Sequence, residues 1–115
     1  MNKFVIIAGL LSLSFILVYC NPSKRAAKTV VKTSYVTDIS ALMVSNCSPC
    51  HIPANGGKKK PYDSYANVKT DIDEIIRRIE LNPGEKGFMP MRKTTKLSDS
   101  VIAVFKKWKE DGLGE

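Results

Sequence analysis

Residues 37–51 read Thr-Asp-Ile-Ser-Ala-Leu-Met-Val-Ser-Asn-Cys-Ser-Pro-Cys-His. The first ten place Ile39, Leu42 and Met43 on one face of a helix, with Thr37 or Asp38 as its cap. This helix, expected over about 37–46, delivers the chain directly into Cys47. Cys47, Cys50 and His51 therefore leave its end in a fixed mutual relation. His51 is the chain's one histidine, and Cys20 is its one other cysteine. With so few metal-binding side chains, each can be accounted for individually.

Two further helices are legible downstream. Over about 71–81, Ile72, Ile75, Ile76 and Ile79 fall at i, i+3, i+4 and i+7, one apolar stripe. Thr70 or Asp71 is the expected cap, with Asp73 or Glu74 three residues on, and Asn82-Pro83-Gly84 stops the helix. Over about 98–111, Ser98 caps a helix whose buried face is Val101, Ile102, Phe105 and Trp108, and Gly112 ends it. No alternating strand pattern of useful length occurs. The fold class is therefore all-α. Its apolar core is thin, and a domain this small needs a staple or a bound group at its centre.

The motif offers that group. Two thiols three residues apart at a helix end can reach the two vinyl groups on one edge of a porphyrin and form thioethers. The residue that follows is directed under the ring, where an imidazole can bind iron. Cys47 and Cys50 are thus the candidate attachments of one haem c, and His51 its proximal iron ligand. Three rival readings of the motif fit less of it. A structural zinc takes four ligands, and the one further Cys or His is Cys20, 27 positions upstream. A thioredoxin-type redox pair belongs at a strand–helix junction of a mixed fold. A structural disulfide leaves His51 without a role.

From about residue 35 to 112 the chain resembles the class I cytochrome c family, in its small bacterial, membrane-tethered, monohaem form. The resemblance rests on a helix leading into Cys-x-x-Cys-His, a middle helical region, a Met-Pro loop and a C-terminal helix with aromatics. It implies three or more helices packed around one covalent haem, with Ile39 and Met43 meeting Phe105 and Trp108. It also implies a distal methionine just before the last helix. Gly87-Phe88-Met89-Pro90-Met91 stands there. Met89 matches the pattern and Met91 is the second choice; the plainer alternative is that both only pack. Met43 is read as core. The free ring nitrogen of His51 should donate to a backbone carbonyl, for which Pro61 is the nearest equivalent. Tyr62 and Tyr65 either bond a haem propionate or pack.

The net charge is +7, from 18 basic and 11 acidic residues. Lys58, Lys59 and Lys60 follow the attachment loop, while Lys86, Arg92, Lys93 and Lys96 flank the methionine loop. They either steer redox partner proteins with acidic docking faces or form a solvated surface. Arg77 and Arg78 sit on the polar side of the second helix with no special role. Nucleic acid is a poor partner, because the cations lack interleaved stacking aromatics.

Residues 1–20 read as a targeting segment. Lys3 precedes an apolar run from Phe4 to Tyr19 which, as a helix, is about 24 Å long, short of the ~30 Å hydrocarbon core. Leu17-Val18-Tyr19-Cys20 resembles a bacterial lipoprotein signal, implying that Cys20 becomes the lipid-modified first residue. Tyr19 stands where that pattern takes a small side chain, so an uncleaved signal anchor and plain secretion stay open. All three place the rest outside the cytoplasm, on the periplasmic side. Residues 21–35, with four basic residues and no periodicity before Ser34, read as a basic flexible tether, and 36–115 as the cytochrome domain. The expected function is single-electron transfer in a respiratory chain, not catalysis. The alternative is a haem-based enzyme or gas-binding sensor with an open or displaceable sixth iron position.

Overall fold

A computed structural model of the chain describes residues 30–115. The expected signal segment, Cys20 and residues 21–29 of the expected tether lie outside the described residues. The all-α class holds: α1 spans Ser40–Cys47, α2 Tyr65–Glu80 and α3 Asp99–Glu110. Among the described residues the sole extended pairing is one parallel bridge between Ser34 and Gly114.

The chain enters α1 through a wide turn, Tyr35–Ile39, wound with five-residue spacing. Its cap is Ser34, not Thr37 or Asp38. The Ser34 hydroxyl accepts from the Thr37 N–H, and the Asp38 carboxylate accepts from the Ser34 N–H at 2.9 Å. The Thr37 hydroxyl and the Ser34 amide together hold the Asp38 carboxyl below its ordinary range. Moving the cap three residues upstream brings Tyr35 into the helical entry and buries it.

α2 begins six residues before the expected Asp71. Ser64 caps it by accepting from the Asn67 N–H, and Val68, fully buried, extends the isoleucine stripe by one turn. Thr70, the expected cap, lies inside the helix with its hydroxyl donating to the Ala66 carbonyl at 2.8 Å. Burial of Val68 outweighs the local cap signal, since tertiary packing supplies most helical stability. α3 agrees with its expected boundaries to one residue at each end, and Ser98 caps it as read.

The two ends of the domain close on each other. Tyr35 N–H donates to the Gly114 carbonyl at 2.9 Å, and Trp108 Nε1 donates to the same oxygen at 2.7 Å. Thr33 N–H donates to Asp111 at 2.8 Å. The packed chain therefore starts at Thr33, three residues inside the stretch expected as tether. Tyr35, Tyr65 and Trp108 form an aromatic cluster with ring centroids 5.7–6.3 Å apart, Tyr65 edge-on to both partners and Tyr35 tilted against Trp108. Such aromatic pairs add about 0.5–1.5 kcal/mol each beyond their buried area. α3 packs on α2 and on the Tyr35–Ile39 turn. Ile39, Met43, Phe105 and Trp108 share one core with the α2 stripe, and this core forms one wall of the site.

Candidate cofactor site

α1 ends at Cys47, and the chain then folds back on itself. His51 N–H bonds the Cys47 carbonyl, and Ile52 N–H that of Pro49. A loop over 53–62 wraps onto this turn. Gly57 N–H reaches the Ile52 carbonyl at 3.1 Å, Lys59 N–H that of Cys50 at 3.0 Å and Tyr62 N–H that of His51 at 2.8 Å. Gly57 makes the wrap feasible: a Cβ there would stand 2.3 Å from the Pro49 oxygen and 2.7 Å from the Cys50 oxygen. No side chain fits.

The wrapped loop orients the imidazole. His51 Nδ1 lies 2.7 Å from the Lys60 carbonyl oxygen. A carbonyl only accepts, so Nδ1 carries a proton, and in the neutral ring the lone pair lies on Nε2. Pro61, the expected acceptor, is off by one residue. The amides of Lys59 and Tyr62, bound to Cys50 and His51, set a register in which Lys60 presents its carbonyl to the ring.

Cys47, Cys50 and His51 line a cavity of about 600 Å³, bounded also by Met43, Ile75, Ile79, Leu97 and Phe105. That volume lies within the ~300–1,000 Å³ of cofactor and ligand pockets, and its walls are mostly apolar, as theirs are. Met89 lines the same space. It is half-buried against the core, and its N–H donates to the Arg78 carbonyl at 3.2 Å. Met91 also reaches the cavity but is 72% exposed. Met43 is 1% exposed and receives the Cys47 thiol at 3.9 Å.

Both thiols of the motif are free. Burial pushes the Cys47 thiol up to about 11, against the opposing charge of Lys93. A redox nucleophile needs the opposite shift, which counts against a thioredoxin-type pair. Among the described residues no three His, Cys, Asp or Glu side chains converge as a metal-binding group.

α2 contributes a polar line beside its apolar stripe. Asp71, Glu74 and Arg78 fall at i, i+3 and i+7 and face the cavity together with Ile75. Arg78 was expected to have no special role; it is half-buried and donates through Nε to Glu74 at 2.6 Å, while its carbonyl holds Met89. Exposed Arg77 clasps the same carboxylate with two nitrogens, and together the two arginines bring the Glu74 carboxyl down to about 2. The i, i+3, i+7 spacing of 71, 74 and 78 was the available signal. Tyr62 and Tyr65 part company. Tyr62 lines the cavity, stacks on the His51 ring at 4.7 Å and donates to Asp71 at 2.8 Å. Burial, then Asp71, pushes its hydroxyl up to about 12. Tyr65 instead donates to the Leu113 carbonyl in the aromatic cluster.

Of the expected cations, Lys59, Lys60 and Arg92 line the cavity mouth, and Lys93 reaches Asn46 at 3.2 Å. Among the described residues no helix is long and apolar enough to cross a membrane. No protein-family model, curated protein or solved structure matches this chain.

Proposed function

We propose that this domain is a monohaem c-type cytochrome that carries single electrons on the periplasmic side of a membrane. One observation carries the reading: a single apolar cavity is lined at once by both motif thiols, the only imidazole and Met89. The chain's residues fit a haem. Cys47 and Cys50 would form its two thioether links, His51 Nε2 has its lone pair free for iron, and Met89 would supply the sixth ligand. Such a group gives the protein a centre that takes up and releases one electron.

The rest is the work of side chains. The 53–62 loop holds His51 in one tautomer and one orientation, which raises the basicity of the ligating nitrogen. Met89, held through its own amide, offers a soft, neutral sulfur that favours the reduced metal. Ile75, Ile79, Leu97 and Phe105 exclude water from the same space. Lys59, Lys60 and Arg92 give the mouth a positive rim for acidic redox partners. Cys20 would carry the lipid that holds the domain near those partners.

The test is maturation in an exporting host. Covalently bound haem in one copy, with a low-spin spectrum in both oxidation states, is the expected result. A high-spin ferric spectrum would instead favour the gas-binding or enzymatic alternative. Changing Cys20 to Ser should release the protein from membranes; retention would point to an uncleaved signal anchor.

A further inference from the structure

Four cavity residues form a closed circuit that the spacing of the motif does not announce. Lys60 acts at both its ends: its carbonyl accepts the His51 Nδ1 proton at 2.7 Å, and its Nζ pairs with Asp71 Oδ2 at 2.5 Å. Tyr62, two residues on, stacks its ring on the imidazole with an interplanar angle of 16°. Its hydroxyl donates to the same Asp71 oxygen at 2.8 Å. One carboxylate oxygen on α2 thus gathers the residues on either side of Pro61. We infer that Asp71 is a positioning residue for the proximal imidazole, fixing the Lys60 carbonyl and the Tyr62 ring against His51. The inference rests on the cytochrome reading for the iron that His51 would hold, but the circuit itself belongs to the chain.

The physical argument concerns what holds an exposed loop still. Lys58, Lys59 and Lys60 are exposed, and a pair made by Lys60 alone, its side chain 56% exposed, would contribute little. Asp71 differs, with a side chain only 17% exposed on a mostly apolar cavity. A carboxylate so covered needs its bonds met, and Lys60 and Tyr62 meet them. Their convergence is charge-assisted, the stronger class of hydrogen bond. It also ties the loop to α2, whose isoleucine stripe is core. Without Asp71 the loop keeps its backbone bonds but loses its attachment to the rigid helix. The Lys60 carbonyl, its register still set by the Lys59 and Tyr62 amides, then loses its second hold; its bond to Nδ1 loosens, and the imidazole becomes a poorer donor to iron. Reduced basicity disfavours the ferric form, so the potential should rise.

Because the chain has one histidine, its side-chain nitrogens can be observed without ambiguity. The experiment uses the full matured chain with 15N-labelled histidine, comparing wild type, Asp71→Ala and Tyr62→Phe. Wild type should show protonated, slowly exchanging Nδ1. Both variants should exchange that proton about tenfold faster, the size expected for losing one charged hydrogen bond. Both should also have a more positive potential. Tyr62→Phe changes no charge at neutral pH, so its shift separates positioning from the field of the carboxylate, and it stands as the test should Asp71→Ala not fold. Lowered melting temperature with exchange and potential unchanged would reduce Asp71 to a structural staple and overturn the inference. A wild-type chain that emerges without haem overturns the cytochrome reading instead. In that chain the Nδ1 exchange comparison still decides whether Asp71 positions the ring.

Discussion

The two sides of the cavity are built on opposite plans. The attachment side, residues 47–62, is a short loop bonded back onto itself through the carbonyls of Cys47, Pro49, Cys50, His51 and Ile52. The methionine side, residues 82–97, is an excursion of equal length, largely exposed and held by few long-range ties. Met89 N–H bonds the Arg78 carbonyl, and Lys93 reaches Asn46 beside Cys47. Residues close in sequence can fix one another with local bonds, whereas a ligand 38 positions away must be brought in by tertiary contacts. The first side should be rigid and intolerant. The second should tolerate change in its backbone while remaining sensitive at Met89, the half-buried methionine of the cavity wall.

Glycine substitutions probe that contrast most strongly. Gly57→Ala forces a methyl into the Pro49 and Cys50 carbonyls and should cost about 3 kcal/mol, seen as a lowered denaturation midpoint. Gly84→Ala, with nothing within 4 Å but a φ of +93°, should cost only about 1 kcal/mol. Equal effects would break the comparison. On the methionine side, Met89→Ala should retain covalent haem, lower the reduction potential and open the iron to carbon monoxide. Met91→Ala should leave the spectrum and potential as in wild type; the reverse pattern would exchange the two residues' roles.

Acid reaches both sides through α2. Lys60 and then Tyr62 hold the Asp71 carboxyl below its ordinary range, and Arg77 and Arg78 bring Glu74 from 4.5 to about 2. Asp38 and Asp111 are lowered as well. Each group binds its proton more weakly when folded, so its contribution is present above the ordinary carboxylate value and lost as pH falls towards 2. Thermal melts should therefore drop steadily below about pH 4.5. In a Glu74→Gln variant the drop should be shallower. The smallest effect belongs to the exposed Lys93–Asn46 tie, where Lys93→Ala should change stability by no more than about 0.5 kcal/mol.

The same contrast explains which features are legible in the sequence. The Cys-x-x-Cys-His turn, the isoleucine stripe and the Ser98 cap each depend on neighbours within a few positions, so local spacing was sufficient. The start of α2 at Tyr65 depends on Val68 meeting a core assembled from elsewhere, and the nearer cap signal at Thr70 was the stronger local cue. Nothing near Thr33 announces its bond to Asp111, 78 residues away. The acceptor for His51 moved from Pro61 to Lys60 because amide register, not residue type, chooses which carbonyl faces the ring. Gly57 carries no local signal beyond its place beside Gly56, since the close approach it allows is a tertiary fact.

The account's central claim is that this cavity holds a porphyrin bound through Cys47 and Cys50 with His51 and Met89 on its iron. Intact-mass and optical measurement of protein matured in an exporting host tests it most directly. The account predicts the mass of one covalent haem and a low-spin spectrum with the weak far-red band of an iron–thioether bond. Colourless protein in which both motif thiols still react with a thiol reagent would contradict it.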